Sequence, residues 1–169
     1  EKPTVLDAYA GIATFGICVS DVAEKVTSVE ENSSSIQKAK EVLKSNNIKN
    51  VELFAQDTLR YLKSIKKKFD IIILDPPRKG CTQEVLDEVL RHLKSNHSKA
   101  ESDEILRSAQ NDAIAEGASK GKIIYVSCNP ATLARDLKYL TEHGAKVESI
   151  QPFDMFCHTY HIENVAIIN

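Results

Sequence analysis

The stretch Ile123-Ile124-Tyr125-Val126-Ser127-Cys128-Asn129-Pro130-Ala131-Thr132-Leu133-Ala134-Arg135-Asp136-Leu137 decides the fold. Ile123 to Val126 are apolar and mostly β-branched or aromatic, which predicts a short buried strand. Asn129 offers an N-cap oxygen and Pro130 suits the first helical position, so a helix follows at once. Leu133, Leu137 and Leu140 continue it at helical spacing. Cys128 therefore falls between the carboxyl end of a strand and the amino end of a helix. In an open α/β sheet that rim is where ligands bind, and the helix dipole there suits a sulfur nucleophile. Free cysteine is also among the residues most often buried for packing alone, and from this stretch the two readings are evenly matched.

Upstream, the chain repeats the same alternation. Thr4 to Tyr9 reads as a strand running into Ala10-Gly11, with a helix starting near Thr14. Val26 to Val29 is a second strand, ending at Glu30, and Ser33 to Ser45 a helix with Ile36, Ala39, Val42 and Leu43 on one face. Val51 to Ala55 closes at Gln56-Asp57, and a helix over Thr58 to Ile65 follows. Phe69 to Leu74 is a continuous apolar run, as a strand buried on both faces should be. It ends in Asp75-Pro76-Pro77-Arg78-Lys79-Gly80 and leads to an amphipathic helix over Thr82 to Leu93. Downstream, Val147 to Ile150 and Val165 to Ile168 are strands with no helix between them. The pattern predicts an α/β fold with a mostly parallel, doubly wound sheet and an antiparallel last strand. It resembles the Rossmann-like, seven-stranded sheet of S-adenosylmethionine-dependent methyltransferases. Residues 95 to 119 are polar and too long for an ordinary connection, so they read as an insertion with no chemistry of its own.

At 169 residues the chain fits one domain, and 27% charged and 42% hydrophobic residues are ordinary for a globular protein. No apolar run approaches membrane-spanning length, which excludes a membrane helix and makes a cytoplasmic, monomeric protein the expectation. Cys18, Cys81, Cys128 and Cys157 form no CxxC pair, which argues against a zinc site. The net charge of −2 gives no global basic field, and Lys63, Lys66, Lys67 and Lys68 read as a solvated helix end. Opening on Glu1 with a strand at Thr4, the chain is expected to be a fragment whose upstream partner is absent.

Gly11-Ile12-Ala13-Thr14-Phe15-Gly16 follows the first strand as GxAxxG, a weak signal by itself. Acids are more telling. Asp7 lies at the end of the first strand, and Glu30, Asp57 and Asp75 close the next three. Each alone is explained by a helix cap or a solvated turn. Together on one rim they repel a pyrophosphate and suit a ribose, an adenine and a sulfonium cation. That points to S-adenosyl-L-methionine rather than NAD.

Four motifs then meet in order: Asp7-Ala8-Tyr9-Ala10-Gly11, Asp75-Pro76-Pro77-Arg78-Lys79-Gly80, Ser127-Cys128-Asn129-Pro130, and Asp154-Met155-Phe156-Cys157-His158-Thr159-Tyr160-His161-Ile162-Glu163. They resemble the RNA 5-methyluridine methyltransferases over the whole chain except 95 to 119. The resemblance implies an S-adenosylmethionine site lined by Tyr9, Gly11, Thr14, Glu30, Asp57 and Asp75. It implies Cys128 as nucleophile, Glu163 as base, an RNA substrate (tRNA or rRNA), and a missing upstream RNA-binding domain, so that 1–169 is the catalytic domain. Three departures stand out: Ala13 replaces the second glycine of the loop, Cys157 stands where the family has proline, and the insertion lengthens a short connection.

The chemistry accounts for the residue types. Carbon 5 of uracil is a poor nucleophile until a thiolate adds to carbon 6, and the carbon 5 proton must then be removed by a base. The target base must leave its stack to be reached. Arg78 could orient the base or a phosphate, or form a structural ion pair, while His158 and His161 could tune the base. A 5-methylcytosine enzyme would need an acid for the ring nitrogen, an adenine amino-methyltransferase would leave Cys128 unexplained, and a truncated domain could bind cofactor without turning over.

Overall fold

The computed structural model describes residues 1–94, 121–155, 158–159 and 162–169. The expected insertion at 95–119, and with it Cys157, Tyr160 and His161, lies outside the described residues. The strands are β1 (Thr4–Ala8), β2 (Lys25–Glu30), β3 (Val51–Ala55), β4 (Ile71–Leu74), β5 (Lys122–Ser127), β6 (Val147–Phe153) and β7 (Glu163–Ile168). The helices are α1 (Thr14–Cys18), α2 (Ser33–Ser45), α3 (Thr58–Ser64), α4 (Gln83–His92) and α5 (Pro130–Glu142).

The seven strands form one sheet in the order β3-β2-β1-β4-β5-β7-β6. β1 to β5 pair in parallel, and β7 runs antiparallel between β5 and β6. A helix follows each of the first five strands, which is what makes parallel pairing possible. The direct link from β6 to β7 gives the antiparallel finish. One face of the sheet carries Leu6, Ile72, Leu74, Ile123 and Tyr125 under the apolar faces of α3, α4 and α5. The other carries Val5, Val26 and Ile73, packed with Leu43 of α2 and Phe15 and Ile17 of α1.

Two strands differ from expectation. Phe69 is fully buried yet lies ahead of β4, bridging to Leu93 just past α4. β6 extends to Phe153, because it is an edge strand and Pro152 there has no second neighbour to which it would owe an N–H. The order of strands reverses between β1, which leads outward to β2, and β4, which leads the other way to β5. A ligand crevice opens beyond the carboxyl ends of strands at such a switch point.

Candidate active site

A cleft of about 570 Å³ occupies that switch point, with Tyr9, Glu30, Asp57, Asp75, Arg78 and Cys128 in its wall. Tyr9 follows β1 with φ 61°, a left-handed conformation that turns the chain sharply off the strand. Burial, with Cys81 alongside, pushes its phenol pKa up. Gly11 (φ 55°) and Ala13 (φ 61°) repeat the left-handed geometry, so the second glycine position is held by an alanine in a glycine-like conformation. Ala13 is fully buried and packs with Ala10 and Ala39.

Two of the rim acids hold their own backbone. Glu30 accepts the Gly11 N–H at 2.9 Å and the Asn32 N–H at 2.8 Å, tying the β1 loop to the end of β2. Asp57 caps α3 by accepting the Arg60 N–H at 2.9 Å. Asp75 makes no hydrogen bond or ion pair through its carboxylate among the described residues, and desolvation raises its pKa. Asp7 does not stand on the rim with them. It is fully buried beneath the loop, where Oδ2 accepts from the Gly16 N–H and the Ser28 hydroxyl, each at 3.0 Å, while Oδ1 has no partner. Burial pushes its carboxyl up to about 6. Gly16 fits because a Cβ there would lie 2.4 Å from Ser28 Oγ. Gly11, on the loop, and Thr14, the first residue of α1, lie outside the wall of the cleft. Glu31 and Thr58, which the motifs did not single out, do line it; their only sequence signal is adjacency to Glu30 and Asp57.

Cys128 is half-buried, one residue past β5. Asn129 caps α5, its Oδ1 accepting the Ala131 N–H at 3.1 Å, with Pro130 in the first turn. The same Asn129 donates Nδ2 to the Arg78 carbonyl at 3.2 Å, and Thr132 donates its hydroxyl to that oxygen at 3.1 Å. The start of α5 thus grips the loop after β4. On the other side, Ser127 pairs with Asn164 as the last rung between β5 and β7, and Asn164 Nδ2 donates to the Ser127 carbonyl at 3.2 Å. Cys128 and Glu163 are each the next residue beyond that rung, so the β5–β7 register carries both to the same edge of the sheet.

Glu163 is half-buried, and its pKa is raised by desolvation and then by the charge of Asp75. Asp75, Cys128 and Glu163 therefore share one corner of the rim. Arg78 is exposed on the cleft wall and pairs with no carboxylate among the described residues. His158 is exposed with φ 63°. Among the described residues no three His, Cys, Asp or Glu side chains gather in a way that would hold a metal ion, and no helix is long and apolar enough to cross a membrane.

Residues 1–124 match the family described as "Conserved hypothetical protein 95", and residues 109–169 match the family described as tRNA (Uracil-5-)-methyltransferase. An uncharacterized RNA methyltransferase of Thermotoga maritima is 38% identical over 97% of this chain and 31% of its own length. One from Clostridium tetani is 36% identical over 98% of this chain and 31% of its own length. The chain thus spans about a third of the relatives it matches. Among solved structures, the tRNA (uracil-54, C5)-methyltransferase of Pyrococcus abyssi in complex with S-adenosyl-L-homocysteine superposes with a TM-score of 0.74 at 29% identity, covering 100% of this chain and 35% of that one. NSun6 from Pyrococcus horikoshii, solved with SFG, shares the fold at a TM-score of 0.73 and 15% identity, over 99% of this chain and 47% of that one.

Proposed function

We propose that this chain, whose residues 109–169 match the tRNA (Uracil-5-)-methyltransferase family, transfers a methyl group from S-adenosyl-L-methionine to carbon 5 of a uridine in tRNA or rRNA through an adduct with Cys128. The observation that supports this reading is the β5–β7 register, which ends at Ser127 and Asn164 so that Cys128 and Glu163 follow at one edge of the sheet, with Cys128 in the wall of an acidic cleft.

The residues of the cleft fit this donor. Glu30 and Asp57 retain lone pairs for a ribose diol and an adenine amino group, and Asp75 is a carboxylate awaiting a cation. When bound, the cofactor supplies an electrophilic methyl on a positively charged sulfur. Cys128 supplies the complementary half of the chemistry. Its thiolate adds to carbon 6 of the uracil, and the π pair moves onto carbon 5 and the carbon 4 oxygen as an enolate. S-adenosyl-L-methionine held by Glu30, Asp57 and Asp75 would supply the methyl that carbon 5 takes, its sulfonium leaving as a neutral thioether. Glu163 then accepts the carbon 5 proton, the C5–C6 double bond re-forms, and the C6–S bond breaks to release Cys128 as thiolate. Glu163 suits that task because desolvation and Asp75 both make its carboxylate a stronger base. Arg78, which pairs with no carboxylate among the described residues, orients the uracil or a flanking phosphate. RNA selection rests mostly on parts of the protein upstream of this catalytic domain, in keeping with a net charge of −2. The enzyme acts as a monomer on cytoplasmic RNA.

The test is incubation of the full-length protein with tRNA and rRNA transcripts and methyl-labelled cofactor, followed by digestion and nucleoside chromatography. Label in 5-methyluridine is expected. Label in 5-methylcytidine or in a methylated adenosine, or no labelled nucleoside, would overturn the reading.

A further inference from the structure

We propose that Asp136 is a positioning residue that locks the loop carrying Asp75 and Arg78 onto the helix and strand that present Cys128. This rests on the function proposed above. Asp136 lies inside α5 among Leu133, Leu137 and Leu140, on the apolar side of the helix, and is 1% exposed. A carboxylate there is costly unless every lone pair is used, and it is well used. Oδ2 accepts the Tyr125 hydroxyl at 2.5 Å and the Cys81 N–H at 2.8 Å. Oδ1 accepts Arg135 Nε at 2.8 Å and Nη2 at 2.7 Å. Three segments meet on one side chain: β5 through Tyr125, α5 through Arg135, and the end of the β4 loop through Cys81.

Arg135 extends the clamp. Its Nη2 also donates to the Lys79 carbonyl at 2.9 Å and the Cys81 carbonyl at 3.1 Å. Between them Gly80, at φ 74°, packs so closely that a Cβ would lie 2.5 Å from Asp136 Oδ2 and 2.6 Å from Arg135 Nη2. Cys81 also neighbours Tyr125 and Tyr9, and Tyr9 stands in the cleft wall.

With Asn129 and Thr132 holding the Arg78 carbonyl, α5 grips the loop at both ends of Arg78-Lys79-Gly80-Cys81. The same helix has Cys128 at its start. The seat of the methyl donor and the nucleophile are therefore fixed to one rigid element. Ordinary stability does not require an ion pair here, since well-packed apolar residues often serve as well. A fixed distance between two reacting centres does, because a misplacement of about 1 Å can cost on the order of 10²-fold in rate.

The experiment uses full-length wild type, Asp136→Asn and Arg135→Lys, well below each melting temperature. The readouts are steady-state methylation of substrate RNA and amide hydrogen exchange of the 75–81 loop. Asp136→Asn keeps the shape and one acceptor but loses the charge that holds Arg135. Its kcat is expected to fall at least thirtyfold with the KM for RNA within threefold. Arg135→Lys keeps the charge but loses the fork, and should lose at least fivefold in kcat. In both variants the Cys81 amide should exchange at least tenfold faster, with α4 unchanged. A kcat within threefold of wild type in either folded variant, or unchanged exchange at Cys81, would overturn the proposal. Should Asp136→Asn fail to fold, Arg135→Lys decides alone. Wild type that forms no 5-methyluridine would instead sink the functional reading, while the exchange data would still decide whether the clamp holds the loop.

Discussion

The two halves of the rim are built differently. On the parallel side, the acids that close β2 and β3 are fastened to backbone N–H groups. Glu30 takes two N–H groups and Asp57 caps the helix that follows it. In the antiparallel corner, Cys128 and Glu163 make no side-chain hydrogen bond among the described residues. The pairing of β5 with β7 carries positions 128 and 163 to the same edge of the sheet. On this rim the acids proposed to bind cofactor are tied to backbone N–H groups, whereas the proposed nucleophile and base reach one edge through long-range strand pairing. A cofactor tolerates several tethered acceptors, while a nucleophile and a base must stay free to bond to substrate.

That contrast can be broken in graded ways. Cys128→Ala in the full-length enzyme should lower methyl transfer by at least about 10⁴-fold and leave cofactor affinity nearly intact, read by labelled-methyl incorporation and calorimetry. Parallel loss of cofactor binding would mean that the corner and the cleft are not separate. Asp7→Asn probes the parallel side through stability. Asp7's carboxyl is pushed up from 3.8 to about 6 by burial, so the fold binds its proton more tightly than the unfolded chain does. Its stabilising contribution is complete below about 3.8 and is lost as pH rises through about 6. The variant, which has no such loss, should gain on wild type by on the order of 3 kcal/mol between pH 4 and pH 7, measured by urea unfolding. A gap that stays flat across that range would show that Asp7 does not titrate this way. Glu30→Gln should weaken cofactor binding by about tenfold, as expected for losing a charged acceptor, with kcat at saturation changed little. The smallest shift is in the pH profile of Asp75→Asn, a variant whose rate also falls because the cofactor loses a carboxylate partner. Removing the charge that helps raise Glu163 should move the acid limb of the kcat–pH profile to lower pH, since a base acts only when unprotonated. An unmoved limb would separate the two carboxylates.

Much of this was legible in the chain. The β5–α5 junction reads directly, because Asn129 and Pro130 cap a helix by local chemistry and Cys128 can sit nowhere but on the rim. Alternation gives the parallel strands, and the missing helix before Val165 gives the antiparallel finish. Asp7 was not legible as a buried anchor: its place near a strand end resembles that of Glu30, but it lies inside β1, an internal strand, under the Gly16 N–H and the Ser28 hydroxyl that it accepts. Asp136 was missed for a different reason. Adjacent to Arg135, it looks like part of a solvated charge pair, although its place on the apolar face with Leu133 and Leu140 was a visible signal. The partners of that buried carboxylate come from Tyr125 and Cys81, and no local rule connects those positions.

The central claim is that register alone makes Cys128 and Glu163 a nucleophile–base pair, and full-length Glu163→Gln tests it most directly. The variant is incubated with substrate RNA and methyl-labelled cofactor and run on a denaturing gel. If Glu163 removes the carbon 5 proton, addition and methyl transfer proceed but elimination stalls, with turnover down about 10²–10⁴-fold. A slow-migrating band carrying label, RNA and protein should accumulate, and it should vanish when Cys128→Ala is added. Normal turnover with no such band would contradict the account.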